Sequence, residues 1–163
     1  MKTPNSKDNS KGLSRERVAF LQRDYSRGFI RHCDIEAEEI SRGRFTSRVK
    51  IRGHHRQQDG FIHAGLMATM ADHTAGYAAF TIVDPDYQIL TIEFKINFLR
   101  PAWGDYLRCE ANVIKEGTNV IVAESDLLDV RGPCGERPVA KAIVTLMAVH
   151  KSRLESRQET TTP

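Results

Sequence analysis

The chain lacks a CxxC pair, a charge-free apolar run of membrane length, and any strong excess of one charge. Each absence excludes something. Its three cysteines, Cys33, Cys109 and Cys134, are odd in number and widely spaced. A disulfide framework uses paired cysteines in a secreted chain, so reduced thiols and a cytoplasmic setting are expected. The most apolar stretch, residues 60–83, contains His63, Asp72 and His73. A central aspartate costs roughly 2.5–3.5 kcal/mol on insertion, which excludes a span and leaves no membrane partner. The opening residues, MKTPNSKDNSKG, are polar with no apolar segment behind them, so no secretory signal is expected. A formal charge of +3 and a pI of 8.8 are too mild to indicate nucleic acid as a partner. No GxGxxG, Walker loop or GxSxG is present, so the common nucleotide-binding and serine-hydrolase chemistries lack their signal. Neither His54 with His55 nor His63 with His73 has metal-ligand spacing. We therefore expect neither a metal nor a cofactor.

What is present reads as one domain over residues 13–150, with residues 1–12 and 151–163 as polar tails. Ser14 is placed to cap a short helix that ends before Gly28. Two strand-like runs follow, CDIEAEEI and RFTSRVKI, with SRG as the turn between them. A polar loop leads into an apolar helix over residues 64–80, which VDPDY breaks. TIEFKINF then alternates strictly, with Ile92, Phe94, Ile96 and Phe98 against Thr91, Glu93, Lys95 and Asn97. Three more strands follow: YLRCEANVI, VIVAESDLLDV and VAKAIVTLMAV. Their short connections imply antiparallel neighbours, and one long sheet covered by one helix gives an α+β architecture.

The helix carries a question. On a period of 3.6 residues, Leu66, Met70, His73, Tyr77 and Phe80 form a bulky side suited to packing on the sheet. Gly65, Ala68, Thr69, Asp72, Ala75, Gly76 and Ala79 form a small side. Two glycines cost roughly 1 kcal/mol each relative to alanine, so a close approach by a partner backbone or a slender ligand is expected there. Asp72 lies on this stripe. A carboxylate taken out of water must be paired, hydrogen-bonded or functional. A structural acid is one reading of Asp72, and a structural cap is one reading of His63.

The motifs IHAGLMATMADHTAGYAA and TIEFKINFLRPA resemble those of the hotdog-fold acyl-CoA thioesterases of the phenylacetic-acid-degradation type, over about residues 33–150. The resemblance implies a long antiparallel sheet wrapped around one central helix. It implies hydrolysis of an acyl-CoA, aryl or medium-chain, to the free acid and CoA. It places Asp72 on the catalytic carboxylate, as base or nucleophile. His63, Ala64 and Gly65 fall on the family's HGG triplet, where a backbone N–H at the helix start supplies the oxyanion donor. Alanine at the middle position is a departure that keeps the N–H. Gln57 falls where a side-chain amide polarises the carbonyl, and Thr91 where a hydroxyl holds the attacking water. The alternation instead groups Thr91 with Glu93 and Lys95, away from the apolar face.

Spacing adds one inference. Eight residues separate Ala64 from Asp72, or about 12 Å along an α-helix. Both groups cannot touch one carbonyl from a single chain. A homodimer with antiparallel helices would join Asp72 of one subunit to Ala64 of the other, and a tetramer could be built from two such dimers. Two other functions fit the same fold. A non-catalytic module binding acyl-CoA or fatty acid would use the same tunnel, whereas a hydratase would need a His–acid pattern that is missing.

Overall fold

A computed structural model describes residues 12–132 and 135–154; Cys134 and most of both expected tails lie outside these. The chain runs α1 (Arg15–Tyr25), α2 (Phe29–His32), β1 (Glu36–Ser41), β2 (Arg44–Lys50), α3 (Ala64–Phe80), β3 (Tyr87–Phe98), β4 (Tyr106–Lys115), β5 (Val120–Val130) and β6 (Glu136–His150). The Ser14 hydroxyl caps α1 by accepting the Arg17 N–H at 3.1 Å. The short α2 and a 3₁₀ turn at Gly53–His55 were not evident from periodicity.

The six strands form one antiparallel sheet in the order β1-β2-β4-β5-β6-β3. One expectation from loop length needs correction. Residues 99–105 join β3 to β4, but those strands are not neighbours; β5 and β6 lie between them. Three strand spacings amount to roughly 14 Å, well within the roughly 24 Å that seven extended residues can reach. A buried carboxylate fastens this crossing loop. Asp129 Oδ1 accepts the Gly104 N–H at 2.7 Å and Oδ2 the Trp103 N–H at 3.3 Å. A Cβ on Gly104 would lie 2.3 Å from Asp129 Oδ1, so only glycine fits there.

The sheet packs around α3, which touches every strand from β2 to β6. Alternation on β5 turns Ile121, Ala123, Ser125, Leu127 and Asp129 inward. The facing side of the helix is small at its centre: Ala71, Thr74, Ala75 and Ala78 are all fully buried. Small residues on both surfaces bring the helix backbone close enough for side-chain bonds from the sheet. Ser125 Oγ donates to the Ala71 carbonyl at 2.8 Å. Thr74 donates its one hydroxyl proton to the Met70 carbonyl at 2.6 Å. Its two lone pairs then accept from Tyr25 at 2.9 Å and Ser47 at 2.8 Å, so every polar atom in this buried group is satisfied.

The expected helix faces hold with two changes. Ala75 and Ala79 are buried, so the open small stripe is Gly65, Ala68, Thr69, Asp72 and Gly76. His73 packs on α1, and Tyr77 packs on α1 as well as on the sheet, its ring lying 5.5 Å from that of Phe45 on β2. The His73 ring donates to the Tyr25 carbonyl at 3.0 Å, and the Tyr77 hydroxyl donates to Asp24 at 2.8 Å.

Replacing Thr74 by valine keeps the shape but leaves the buried Tyr25 and Ser47 hydroxyls without their acceptor. We expect Thr74→Val to lose about 1–3 kcal/mol in urea denaturation with an unchanged slope. A loss below about 0.5 kcal/mol would mean that this network does not hold the helix.

Candidate active site

The helix that carries Asp72 starts from a cap built by its own neighbours. His63 Nδ1 accepts the Gly65 N–H at 2.9 Å, and the His63 carbonyl accepts from Leu66 and Met67 at 3.1 and 3.4 Å. This leaves the Ala64 N–H without an acceptor among the described residues, at an exposed helix start where partial positive charge gathers. Gly65 is needed for the cap, because a Cβ there would lie 2.9 Å from His63 Nδ1. Of the two backbone amides expected as oxyanion donors, Gly65 is engaged and Ala64 is open.

Asp72 is half-buried, and its Oδ1 accepts the Thr91 hydroxyl at 2.8 Å. The contact depends on a bulge. β3 pairs with β6 as Thr91↔Leu146 and then Glu93↔Thr145, so Ile92 is an extra residue without a partner. Directly paired residues share a face, and Leu146, Val144, Ala142 and Ala140 are all buried against the helix. The helix-facing set is therefore Ile89 and Thr91 before the bulge, then Phe94, Ile96 and Phe98 after it. Strict alternation had placed Thr91 on the other side; the bulge is the reason it faces Asp72.

Four of the predicted residues fall into two clefts, while His63 and Gly65 form the helix cap and line neither. Asp72 and Thr91 line a cleft of about 210 Å³ with Gly76, Tyr77, Phe80 and Ile89. Gln57 and Ala64 line another of about 420 Å³, with Phe61, Met67, Phe98 and Arg100. Acid and amide thus open into different clefts of the same protomer. Beside both clefts the edge strand β3 is left uncovered. Ile92, Phe94 and Phe98 are 52%, 40% and 47% exposed, although the last two point toward the helix side.

Three groups of metal-ligand type meet elsewhere. Asp34 Oδ2 lies 3.3 Å from His54 Nε2 and 3.6 Å from His55 Nε2. His55 Nδ1 accepts the Arg52 N–H at 3.1 Å, which puts the proton of a neutral ring on Nε2. Arg52 also pairs with Asp34 at 3.4 Å. A proton at the ligating nitrogen and a guanidinium on the carboxylate suit an ion-pair cluster better than a metal cage. Cys109 is fully buried, and burial pushes its thiol up to about 12; Cys33 is also free and raised by burial. Neither has the lowered pKa of a reactive thiol. No helix among the described residues is long and apolar enough to cross a membrane.

The family model of the thioesterase superfamily matches residues 59–136. A thioesterase family protein from Silicibacter pomeroyi is 33% identical, with a TM-score of 0.77, and the match covers 81% of this chain and 98% of that one. A Saccharolobus solfataricus protein named as a candidate esterase is 30% identical over 110 residues, which is 68% of this chain and 78% of that protein. The 1,4-dihydroxy-2-naphthoyl-CoA hydrolase of Listeria monocytogenes is 23% identical over 58% of this chain and 77% of its own length. The sheet wrapped on one central helix is the hotdog fold.

Burial lowers the pKa of His73, partly offset by its bond to the Tyr25 carbonyl and by nearby Asp72. Burial, followed by His54, lowers that of His55 as well. Between the lowered folded value and about 6.5 the unfolded chain binds more protons, so stability is fully present above about pH 6.5 and falls as pH drops below it. Thermal melts should show Tm declining from pH 7 to 5, with a shallower decline for His73→Gln. A Tm that rises toward pH 5 would contradict the neutral, buried ring.

Proposed function

We propose that this chain, which belongs to the thioesterase superfamily and is a thioester hydrolase, cleaves acyl-CoA thioesters at a site shared between two copies. The observation that carries the reading is the separation of the two halves. Asp72 with Thr91 and Ala64 with Gln57 lie about 12 Å apart along one rigid helix and open into different clefts. A two-fold axis beside the open stripe of α3 brings Asp72 of one protomer to Ala64 of its partner, which makes two equal sites. The stripe has room for such an approach: Gly76 carries no side chain, and a Cβ there would meet nothing within 4 Å. The same axis covers the exposed apolar residues of β3 and satisfies its open edge.

The chemistry follows from the groups present. The Thr91 hydroxyl fixes Asp72 Oδ1 and leaves Oδ2 for the reaction. Oδ2 acts on the thioester carbonyl, either by direct attack or by taking a proton from a water that attacks. The carbonyl oxygen gains negative charge as the tetrahedral centre forms, and the Ala64 N–H at the helix start receives it. The Gln57 amide, in the same cleft, adds a second donor. A thiolate leaves more readily than an alkoxide or amine, so one carboxylate and these donors suffice without a triad.

The acyl group occupies the cleft beside Asp72, between Tyr77, Phe80 and Ile89. Its 210 Å³ equals about seven water volumes at ~30 Å³ each, room for an aromatic ring or a medium chain. The aryl-CoA named for the Listeria relative is of this class. Family membership favours the hydrolase over a module that only binds such ligands.

Asp72→Ala should reduce turnover of every acyl-CoA by more than ~100-fold while far-UV circular dichroism and oligomeric state are unchanged. Thr91→Val, which removes one hydrogen bond to a charged group, should cost roughly 10-fold in kcat. Wild-type rates in the Asp72 variant, measured by thiol release, would remove Asp72 from the mechanism.

The shared site has its own test. Ile92→Glu puts a charge on the exposed edge of β3, at a residue that lines neither cleft, and should lower mass in light scattering and turnover together. A folded monomer with full activity would disprove the two-copy site.

A further inference from the structure

The cleft beside Asp72 has two features that neither the fold nor the reaction just described requires. Gly76 stands inside α3, one turn after Asp72 and on the same side of the helix, where glycine is destabilising relative to alanine. Gly65 is demanded by the His63 cap, but a Cβ at Gly76 would meet nothing within 4 Å. No contact among the described residues of the protomer therefore calls for a glycine at 76. What the missing side chain leaves is open space in the cleft, next to the carboxylate.

The second feature closes the far end. Phe80 lies eight residues beyond Asp72, about 12 Å along the helix, and lines the same cleft. Its ring meets that of Tyr77 edge-on at 5.8 Å and that of Phe20 on α1 at 6.5 Å. The Arg17 guanidinium, also from α1, lies 4.5 Å from the Phe80 ring centroid and donates to the Phe80 carbonyl at 2.9 Å. Tyr77 is held in turn by its bond to Asp24. Leu21 and Tyr25, both fully buried, already dock α1, so Arg17 and Asp24 are extra ties. Neither aromatic wall can swing aside without breaking a hydrogen bond or a cation–π contact to α1.

We propose that Gly76 and Phe80 determine which acyl groups this chain accepts, with Arg17 as the positioning residue that keeps the Phe80 ring across the end of the cleft. The space over Gly76 admits an acyl group that is broad next to its carbonyl. The Phe80 ring stops one that reaches beyond about 12 Å from Asp72 along the helix. The inference rests on the acyl-CoA reading above, and it makes the cleft a short, wide slot: ring-bearing and medium acyl groups fit, and long straight chains do not.

The test measures kcat/KM in the full chain over acetyl-, benzoyl-, octanoyl- and hexadecanoyl-CoA, each below its micelle-forming concentration. Wild type should favour octanoyl over hexadecanoyl by at least about tenfold. R17A should raise hexadecanoyl relative to octanoyl by at least about fivefold, whereas a merely structural loss would lower both alike. F80L is the second variant, because leucine keeps the site apolar but is shorter than the ring, and it should move the ratio the same way. G76L adds a good helix former and should lower benzoyl at least about tenfold more than acetyl, with mass in light scattering unchanged. Equal losses across the panel would overturn the proposal. So would a mass that falls with turnover in G76L, which would give the space over Gly76 to the partner copy. If wild type cleaves hexadecanoyl as well as octanoyl, or acetyl but not benzoyl, the slot fails while the hydrolase reading stands. If wild type cleaves no acyl-CoA, the acyl-CoA reading itself fails.

Discussion

The turn of α3 around Asp72 is pinned from three elements, and the geometry of the molecule depends on that pinning. Ser125 on β5 holds the Ala71 carbonyl, Ser47 on β2 holds Thr74, and Tyr25 on α1 holds Thr74 from the other side. These bonds form because alanine, serine and threonine let helix and sheet approach closely, and each is buried where a missing partner would cost more than the bond contributes. Asp72 emerges between the pinned positions on the open side, so its carboxylate has a fixed origin before Thr91 fixes its direction. A helix held this firmly cannot bend to bring its first turn and its middle to one atom. The need for two copies in the proposed site follows from rigidity, and the small stripe is what allows the second copy near.

A second buried carboxylate sets the other half of the architecture. The chain must carry β3 to the far edge of the sheet and return to β4 beneath the ends of β5 and β6. Backbone donors exposed by that crossing would be costly, and Asp129 accepts two of them while pairing with Arg131 and Arg137. Arg137 also donates to the Pro101 carbonyl at 2.7 Å, and the Ala102 carbonyl accepts the Ile62 N–H at 2.8 Å. The loop that closes the fold is thereby tied to the segment that opens α3. One anchor thus positions the mouth of the Ala64 cleft.

Most of this was legible in the residues, and what was not depended on pairing. All six strands, the central helix and the Ser14 cap follow from local pattern, because alternation and capping are properties of a few successive residues. In VIVAESDLLDV even Asp129 falls on the inward parity with Ile121, Ala123, Ser125 and Leu127, a signal that a buried acid was present. The bulge at Ile92 leaves no such mark, since it exists only in the register of β3 against β6. TIEFKINF alternates without interruption, and the parity it suggests is wrong for Thr91 alone among the residues considered for the site. The strand order was similarly hidden, because the seven residues joining β3 to β4 are long enough for either a turn or a crossing. Gln57 pairs with Ala64 and Thr91 with Asp72 in space, and neither pairing could be read from spacing.

The alanine at position 64 shows how cap and proposed chemistry divide three residues between them. Three successive residues, His63, Ala64 and Gly65, must end a loop, start a helix and present one unbonded N–H. The His63 ring folds back to satisfy the Gly65 N–H, and it can do so only because Gly65 has no Cβ to meet Nδ1 at 2.9 Å. That cap removes Gly65 from the set of available donors and leaves the amide before it as the open one. At position 64 the side chain points to an exposed surface and the backbone is helical, so a methyl group there costs nothing sterically and favours the helix relative to glycine. Glycine is thus present where the cap requires it and absent where only an N–H is needed. On the proposed reading that added methyl lines the cleft that holds the oxyanion donor, so its effect belongs to substrate shape and not to charge stabilisation.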